Sequence, residues 1–417
     1  MPRRDPAAGA IVVVYASWEW PLRQAIAEHL HAIERYSRRP CLFLNLAVRR
    51  PPRWLRRVPV DLVVFHTTYL AKRGSPTHWP RLVERARPLK DLGAALVALP
   101  QDEYLPPAPL CEFVEEFGIE HVFSVAPESE WAAIYPTVDR SRTQISRVLT
   151  GYLDPETVAA VERRAAANGR ERPLDVGYRA KDLPAWLGRH AKLKADVGRA
   201  VADAAPAHGL SVDISTRPED TLIGDDWMRF LLSCRYTIGV EGGASILDHD
   251  GSIRRCCEAV LADRPDATFD ELERECFPGR DGEFRLFALS PRHLEAVAAR
   301  TCQVLVEGDY DGVLEAGRHY LPLRRDFSNL DEVLETIRRD DQRERIIDTA
   351  YREIVASGRW SYPRFVEHVE TTALGERAAG PVSRAARLGA ACGRAADRIA
   401  RVDVRLRQAA YRRLRRS

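Results

Sequence analysis

Two doubly wound parallel sheets, each flanked by helices, are predicted for this chain by three observations. Apolar runs of strand length recur without polar alternation: AIVVVY at 10–15, CLFLNL at 41–46, DLVVF at 61–65 and ALVAL at 95–99. Such runs are expected where helices cover both faces of a parallel sheet. Between them lie segments of helical periodicity, such as 22–36, where Leu22, Ile26, Leu30 and Ile33 share one face. A chain of 417 residues is also long enough for two domains with separate cores.

Taken in order, AIVVVY passes directly into the 22–36 helix pattern, so it reads as a first strand and not as the core of a signal peptide. Strands at 41–46 and 61–65 follow, then a helix over 79–92, the strand at 95–99, the helical CEFVEEFG and the strand HVFSVA. Segment 143–151 is a further strand candidate. The polar helix ETVAAVERRAAANGRERP ends in a Gly/Arg/Pro break that marks a boundary, giving a first domain over 1–165 and a second over 170–360. In the second, LDVGYRAK at 174–181 opens on a strand, 187–204 is a helix, and LSVDI at 210–214 a strand. DDWMRFLLSC is a helix, YTIGV at 236–240 a strand, and QVLV at 303–306 another. Helices close the domain over 329–339 and 343–355.

Hydrophobic content of 45% and charged content of 29% suit a globular protein. No apolar run approaches the roughly 20 residues that a membrane-spanning helix needs. The eight cysteines lack CxxC spacing and mostly fall in apolar patterns, which predicts reduced, buried thiols in a cytoplasmic protein. Cys256, Cys257 and Cys276 share a region with His249 but show no paired zinc-ligand spacing, so no metal site is expected. The net charge of +3 conceals an asymmetry: residues 380–417 carry 11 arginines against Asp397 and Asp403, a surplus of +9, leaving −6 for the rest. In this tail Leu388, Cys392, Ile399, Val402, Leu406, Ala409 and Tyr411 recur at roughly helical spacing. A basic amphipathic helix of this kind suits an anionic membrane surface on the inner face. A disordered solubilising tail is the alternative. No nucleic-acid-binding module is present, and no nucleic-acid partner is expected.

In an open α/β sheet, ligands bind at the carboxyl ends of the strands, and the polar residues there are the candidates. In the first domain, His66 follows DLVVF and Asp102-Glu103 follow ALVAL. His66 reads either as a general base or as a loop histidine bonded to backbone. Asp102 is either a base or a capping residue. Trp18 and Trp20 either line a sugar surface or close the core. In the second domain, Arg179 and Lys181 follow the first strand, where Arg suits bidentate phosphate contact and Lys adds a mobile charge. After YTIGV comes Glu241-Gly242-Gly243-Ala244-Ser245, whose glycines let the backbone approach a ligand. Ser290-Pro291-Arg292-His293-Leu294-Glu295 opens a helix, with Ser290 as cap and Pro291 at the first position. Such a start is a natural anion site. Glu307 lies at the end of the 303–306 strand, as a wall of the same site. Asp248-His249-Asp250-Gly251 reads as a turn with side-chain-to-backbone bonds, not as a metal site.

The stretches SPRHLEAVAARTCQVLVEG and HYLPLRRDFSNLDEVLETIRRD resemble the carboxyl-terminal half of GT-B glycosyltransferases of the group 1 and group 4 kind, and among these the spore-maturation CgeB-like proteins. The resemblance runs from about Val176 to Glu370. It implies a GT-B-like architecture of two Rossmann-like domains facing a cleft, with a helix at 361–380 crossing back to the first domain and the basic tail at 381–417. It further implies a metal-independent hexosyltransferase without cofactor that uses a nucleotide sugar, such as a UDP- or GDP-sugar, as co-substrate. The acceptor would be a glycan, a lipid-linked glycan or another surface polysaccharide.

Residue by residue, the resemblance implies that Arg179 and Lys181 face the donor diphosphate with Ser290 and Arg292. Glu295 would hold the ribose. The first-domain residues Asp102 or His66 would take the acceptor proton. Members of that group carry two glutamates eight residues apart, but position 287 here is Phe. The motif is therefore expected to be split. Glu241, Gly242, Gly243 and Ser245 would stand by the transferred sugar, and Glu295-Ala296 would form the second half, across an insertion at 246–289. A nucleotide-sugar epimerase on the same fold and a non-catalytic nucleotide-sugar-binding scaffold are the alternatives.

Overall fold

The computed structural model describes residues 7–168, 171–222, 224–375 and 380–414. The chain forms two compact units: unit 1 is Met1–Val148 with Phe365–Ser417, and unit 2 is Leu149–Arg364. Residues 169 and 170 of the Gly/Arg/Pro break lie outside the described residues.

Unit 1 contains six strands, β1 (Ala10–Tyr15), β2 (Cys41–Asn45), β3 (Val60–Phe65), β4 (Ala95–Ala98), β5 (His121–Ser124) and β6 (Gln144–Arg147). They form one parallel sheet in the order β2-β1-β3-β4-β5-β6. Every residue of β1 is buried, as its unbroken apolar run requires. The candidate strand at 143–151 shrinks to four residues, because β6 is the sheet edge and both its ends are exposed. The order of strand addition reverses between β1 and β3, so their carboxyl ends flank the switch point of this sheet.

The carboxyl-terminal tail belongs to unit 1 as a single helix, Arg384–Leu414. Small residues allow its close approach: a Cβ on Gly389 would lie 2.5 Å from Val58, and one on Gly393 would lie 2.7 Å from Leu42. Asp397, buried on the same face, accepts a hydrogen bond from the Tyr15 hydroxyl at 2.6 Å and pairs with Arg401 at 2.5 Å. Of the two readings of the tail, helix and disordered segment, the structure has the helix. The side chain of Tyr411 lies outside the described residues. Among those described, no helix is long and apolar enough to cross a membrane.

Unit 2 contains β7 (Leu174–Arg179), β8 (Val212–Ser215), β9 (Cys234–Gly239), β10 (Gly242–Ala244), β11 (Leu286–Ala288), β12 (Cys302–Val306) and β13 (Leu321–Leu323). Five of them form a parallel sheet in the order β13-β12-β9-β7-β8, with its switch point between β7 and β9. Val176, Tyr236, Ile238 and Val304 pack against Val197 and Val201 of the helix Arg189–Ala204. The helix Pro155–Asn168 packs through Val161 on Leu231 and Ala296, within this unit.

Three departures from expectation concern 242–288. Residues 242–244, expected as loop, form a short antiparallel ladder with β11. The segment between holds two helices, Ser252–Asp263 and Phe269–Cys276, where one was expected. Cys256 and Cys276 are joined by a disulfide with Cα atoms 5.6 Å apart, which corrects the expectation of reduced thiols for this pair. Antiparallel packing of the helices over a small core of Ile253, Cys257, Leu272 and Phe277 sets that spacing. Cys41, Cys111, Cys234, Cys257 and Cys302 are free and buried, and Cys392 is free and exposed. Asp248 accepts from the Ile253 and Arg254 amides at 3.3 and 2.9 Å, and Asp250 accepts from the Ser252 amide at 2.9 Å. Both carboxylates thus finish the start of the helix Ser252–Asp263.

Candidate functional site

At the switch point of unit 2, β9 leads through Val240 to Glu241, a carboxylate only 2% exposed. Its Oε1 accepts the Tyr310 amide at 2.7 Å. Tyr310 and Asp311 offer that amide from a tight turn after β12, with φ of 46° and 56° in the left-handed region. A Cβ on Gly308 would lie 2.3 Å from Glu241 Oε2, so glycine is required for the turn to close over the carboxylate. Burial lifts the Glu241 pKa from 4.5 to about 7. Asp311 and Asp309 add to the rise, while the Tyr310 amide and Arg325 oppose it.

Beside Glu241 stand cations and neutral imidazoles. The Arg325 guanidinium donates to His190 Nδ1 at 3.2 Å, so the proton of that ring sits on Nε2 and is donated to the Glu241 carbonyl at 3.2 Å. His190 stacks on Phe287 at 3.6 Å, and burial with nearby Arg325 and Lys194 lowers its pKa to about 3. Lys194 is half-buried on the same helix. Its ammonium would be 3.9 Å from a Cβ on Gly242, and burial, with Arg292 adding, lowers its pKa from 10.5 to about 8. Among the described residues no carboxylate pairs with it, so an ammonium without a counter-ion stands beside Gly242 of β10. The sequence reading missed Lys194, His190 and Arg325. For Lys194 a signal existed: it shares the inward face of its helix with Ala191, Gly198 and Val201, where a lysine is uncommon.

The two halves of the split motif do meet. Gly242 pairs with Ala288 and Gly243 with Phe287 in the β10–β11 ladder, and the chain then runs directly to the helix Pro291–Ala298. At Gly243, φ is 124° and a Cβ would lie 1.7 Å from the Leu286 carbonyl oxygen, so only glycine fits. Ser245 does not face this opening. Its hydroxyl donates to Asp281 at 2.6 Å and accepts the His190 amide at 3.3 Å. Ser290 precedes the helix as expected but makes no side-chain capping bond, contrary to its predicted role, so the first amides of that helix are not closed off by it.

Glu295 and Arg292 join a ladder of rings and cations. Trp227 Nε1 donates to Glu295 Oε2 at 2.7 Å, and the Arg292 guanidinium lies 4.9 Å over the Trp227 ring. Arg292 also donates to the Arg179 carbonyl. Arg179 itself is not aimed at an anion: it pairs with Asp213 at 2.8 Å and stacks 4.4 Å over Phe230. Lys181 is exposed. Glu307 is exposed as well, and its carbonyl accepts from Arg325 at 3.4 Å.

In unit 1, His66 is 1% exposed and spends both nitrogens internally. Nδ1 accepts the Thr68 amide at 3.2 Å, and Nε2 meets His29 Nδ1 at 2.9 Å. Burial, with His29 and His31 adding, pushes its pKa well down. Both ring nitrogens are thus engaged by groups of unit 1, the arrangement expected of a histidine bonded within its own loop and core. Asp102 accepts from Tyr104 at 3.0 Å. Glu103 is fully buried, taking bonds from Ser124 at 2.6 Å, Val125 at 2.8 Å, and Tyr135. Trp18 keeps an exposed ring between Lys72 and His78, whereas Trp20 lies under Arg401 at 4.2 Å.

No family model matches the chain, and no curated protein matches it. Among solved structures, HepE of Anabaena in complex with UDP-glucose is similar at 13% identity and a TM-score of 0.47, covering 87% of this chain and 99% of that one. AviGT4, a glycosyltransferase involved in avilamycin A biosynthesis, is similar at 12% identity and a TM-score of 0.43, covering 87% and 96%. Sucrose-phosphate synthase from Thermosynechococcus elongatus is similar at 8% identity and a TM-score of 0.44, covering 87% and 98%. Likeness at this level leaves the site to be read from the residues of this chain.

Proposed function

We propose that unit 2 binds a nucleotide-sugar donor and that the protein is a glycosyltransferase of the group 1 and group 4 kind, transferring the sugar to a glycan or lipid-linked acceptor. The observation that carries this reading is a buried carboxylate, Glu241, whose pKa burial raises to about 7, at a switch point where Lys194 has no carboxylate partner among the described residues. The resemblance of SPRHLEAVA to the donor-site helix of that group supports it.

In this reading, Lys194, Arg292 and the amides at the start of Pro291–Ala298 neutralise the diphosphate as it departs. These groups supply the charge from the chain itself, so the reaction is proposed to be metal-independent. Glu241 takes hydrogen bonds from the hydroxyls of the transferred sugar. Glu295, held by Trp227, receives the ribose hydroxyls. Arg179 stiffens the sheet edge and orients Arg292 through its carbonyl.

The test is thermal stabilisation across a panel of UDP-, GDP- and ADP-sugars, followed by nucleotide release with and without acceptor glycans. A donor at 100 times its dissociation constant adds about 2.7 kcal/mol of stability. A flat panel would reject the donor site, and nucleotide release that no acceptor accelerates would reject the transferase.

A further inference from the structure

Four of the five large hydrophobic side chains that stand exposed among the described residues lie on one helix, Arg384–Leu414: Leu388 (61%), Ile399 (58%), Val402 (54%) and Leu406 (66%). They are not scattered. With Cys392 and Ala395, also exposed, they fall at alternating spacings of four and three and form one straight stripe. The opposite face, with Ala386, Gly389, Ala390, Gly393, Asp397, Ala400 and Val404, is buried against unit 1. The helix is thus apolar on two sides, and only one side has a partner within the chain.

What borders the stripe decides what covers it. Arg387, Arg394, Arg398 and Arg405 are exposed and lie about 80–120° round the helix from it. Among the described residues Arg387, Arg398 and Arg405 have no ion-pair partner, and Arg394 acts on Glu34. On the other flank Asp403 is paired with Arg407 at 3.0 Å. Beyond Ala396 an open cavity separates the helix from the loop after β2. Its rim carries Arg49, Arg50 and Trp54, with both arginines exposed. Cationic groups therefore flank the apolar stripe on both sides. A second copy of the same stripe would bring rows of arginine together, whereas a layer of anionic headgroups over hydrocarbon matches both the charge and the apolar strip.

We infer that this helix is a membrane-docking face of unit 1. Leu388, Ile399, Val402 and Leu406 enter the headgroup–acyl boundary of an anionic bilayer, Arg387, Arg394, Arg398 and Arg405 bind lipid phosphates, and the cavity at Arg49, Arg50 and Trp54 receives a further headgroup. The inference is independent of the donor site and stands or falls separately from it.

The test is co-sedimentation of the full chain with vesicles of phosphatidylglycerol and phosphatidylcholine, against vesicles of phosphatidylcholine alone, with analytical ultracentrifugation in parallel. The wild type should pellet with the anionic vesicles, not with the neutral ones, and release as salt rises. Ile399→Ser/Val402→Ser/Leu406→Ser should lose at least tenfold in vesicle affinity at unchanged melting temperature, since all three side chains are exposed. Arg49→Glu/Arg50→Glu should weaken binding to anionic vesicles in the same assay. Wild-type protein left in the supernatant, or a triple variant that binds as well as wild type, overturns the proposal. So does a wild-type dimer that the triple variant dissociates, which would assign the stripe to a second copy.

Discussion

Replacing Glu241 with Gln should stabilise the protein above neutral pH while impairing its proposed activity. The folded carboxyl titrates near 7 and the unfolded one near 4.5. The folded state therefore holds the proton more tightly, and stability falls as pH rises from about 4.5 to about 7. Above that window the cost is complete. At about 1.36 kcal/mol for each pH unit it approaches about 3 kcal/mol, an upper figure. The group is 2% exposed, so solvent does little to screen it. Glutamine matches the shape, carries no charge to desolvate, and keeps an oxygen for the Tyr310 amide. Urea unfolding of both proteins, followed by tryptophan fluorescence at about pH 5, 6, 7 and 8, measures the difference. The curves should lie together at the acid end and separate by about 2–3 kcal/mol in favour of the variant at the alkaline end. Parallel curves across the range would refute the buried, proton-holding carboxylate and with it the central feature of the site.

Lys194 should impose a pH dependence on binding, which also declines as pH rises but in a more alkaline window. With an ammonium pKa of about 8, affinity for a nucleotide sugar should drop about tenfold between about pH 7 and about pH 9, and Lys194→Met should both weaken binding and flatten that profile, by calorimetry. Gly308→Ala should force a Cβ against Glu241 Oε2 and cost about 1–3 kcal/mol in denaturant unfolding. In the Glu241→Ala background the same change should cost measurably less, because the opposing atom is gone. Trp227→Phe should release Glu295 from its indole N–H and raise the KM for donor, and Glu295→Ala should abolish turnover with the far-UV spectrum unchanged.

The alternation of strands and helices was legible because parallel strands covered on both faces must be continuously apolar. AIVVVY and CLFLNL become β1 and β2 with every residue buried. Of the edge strands, β6 and β8 were less legible than β2: β6 has exposed ends and β8 is only half-buried, so neither carries a continuous apolar run. Glu241, Gly242 and Gly243 stand out in the sequence because a glycine pair after a strand is a backbone device, readable without knowing its surroundings. Ser290 could not be judged in this way, since whether a serine caps depends on its rotamer. Arg179 followed the same pattern as a phosphate-binding arginine, yet its outcome was set by Asp213 on the adjacent strand and Phe230 on a helix. The enclosure of His66 was not legible, because its partner, His29, lies 37 positions away. The Cys256–Cys276 bridge depended on two helices folding back on each other, and spacing alone does not announce that.

The split motif poses a physical question: how a site tolerates some forty inserted residues between two parts that must stay in register. The turn after β12 answers it. Tyr310 gives its amide to Glu241 at 2.7 Å, at the entry to β10, and Asp311 accepts the Leu289 amide at 2.7 Å, at the exit from β11. One turn thus holds both sides of the insertion, and the β10–β11 ladder closes it from the other direction. Two consecutive non-glycine residues at positive φ cost of order 1–3 kcal/mol each. That strain is tolerable only because each residue is fixed by a bond to the motif. On this reasoning the inserted helices, closed by their own disulfide and core, are free to vary while the ends that matter remain clamped. Asp311→Ala should therefore damage donor binding more than it damages the insertion. It removes the bond to Leu289, loosening the helix start that carries Arg292 and Glu295, and leaves the Cys256–Cys276 bridge intact. Hydrogen exchange should show faster opening at 286–295 and unchanged protection at 252–276. Uniform loss across both segments would mean that the insertion, not the turn, holds the site together.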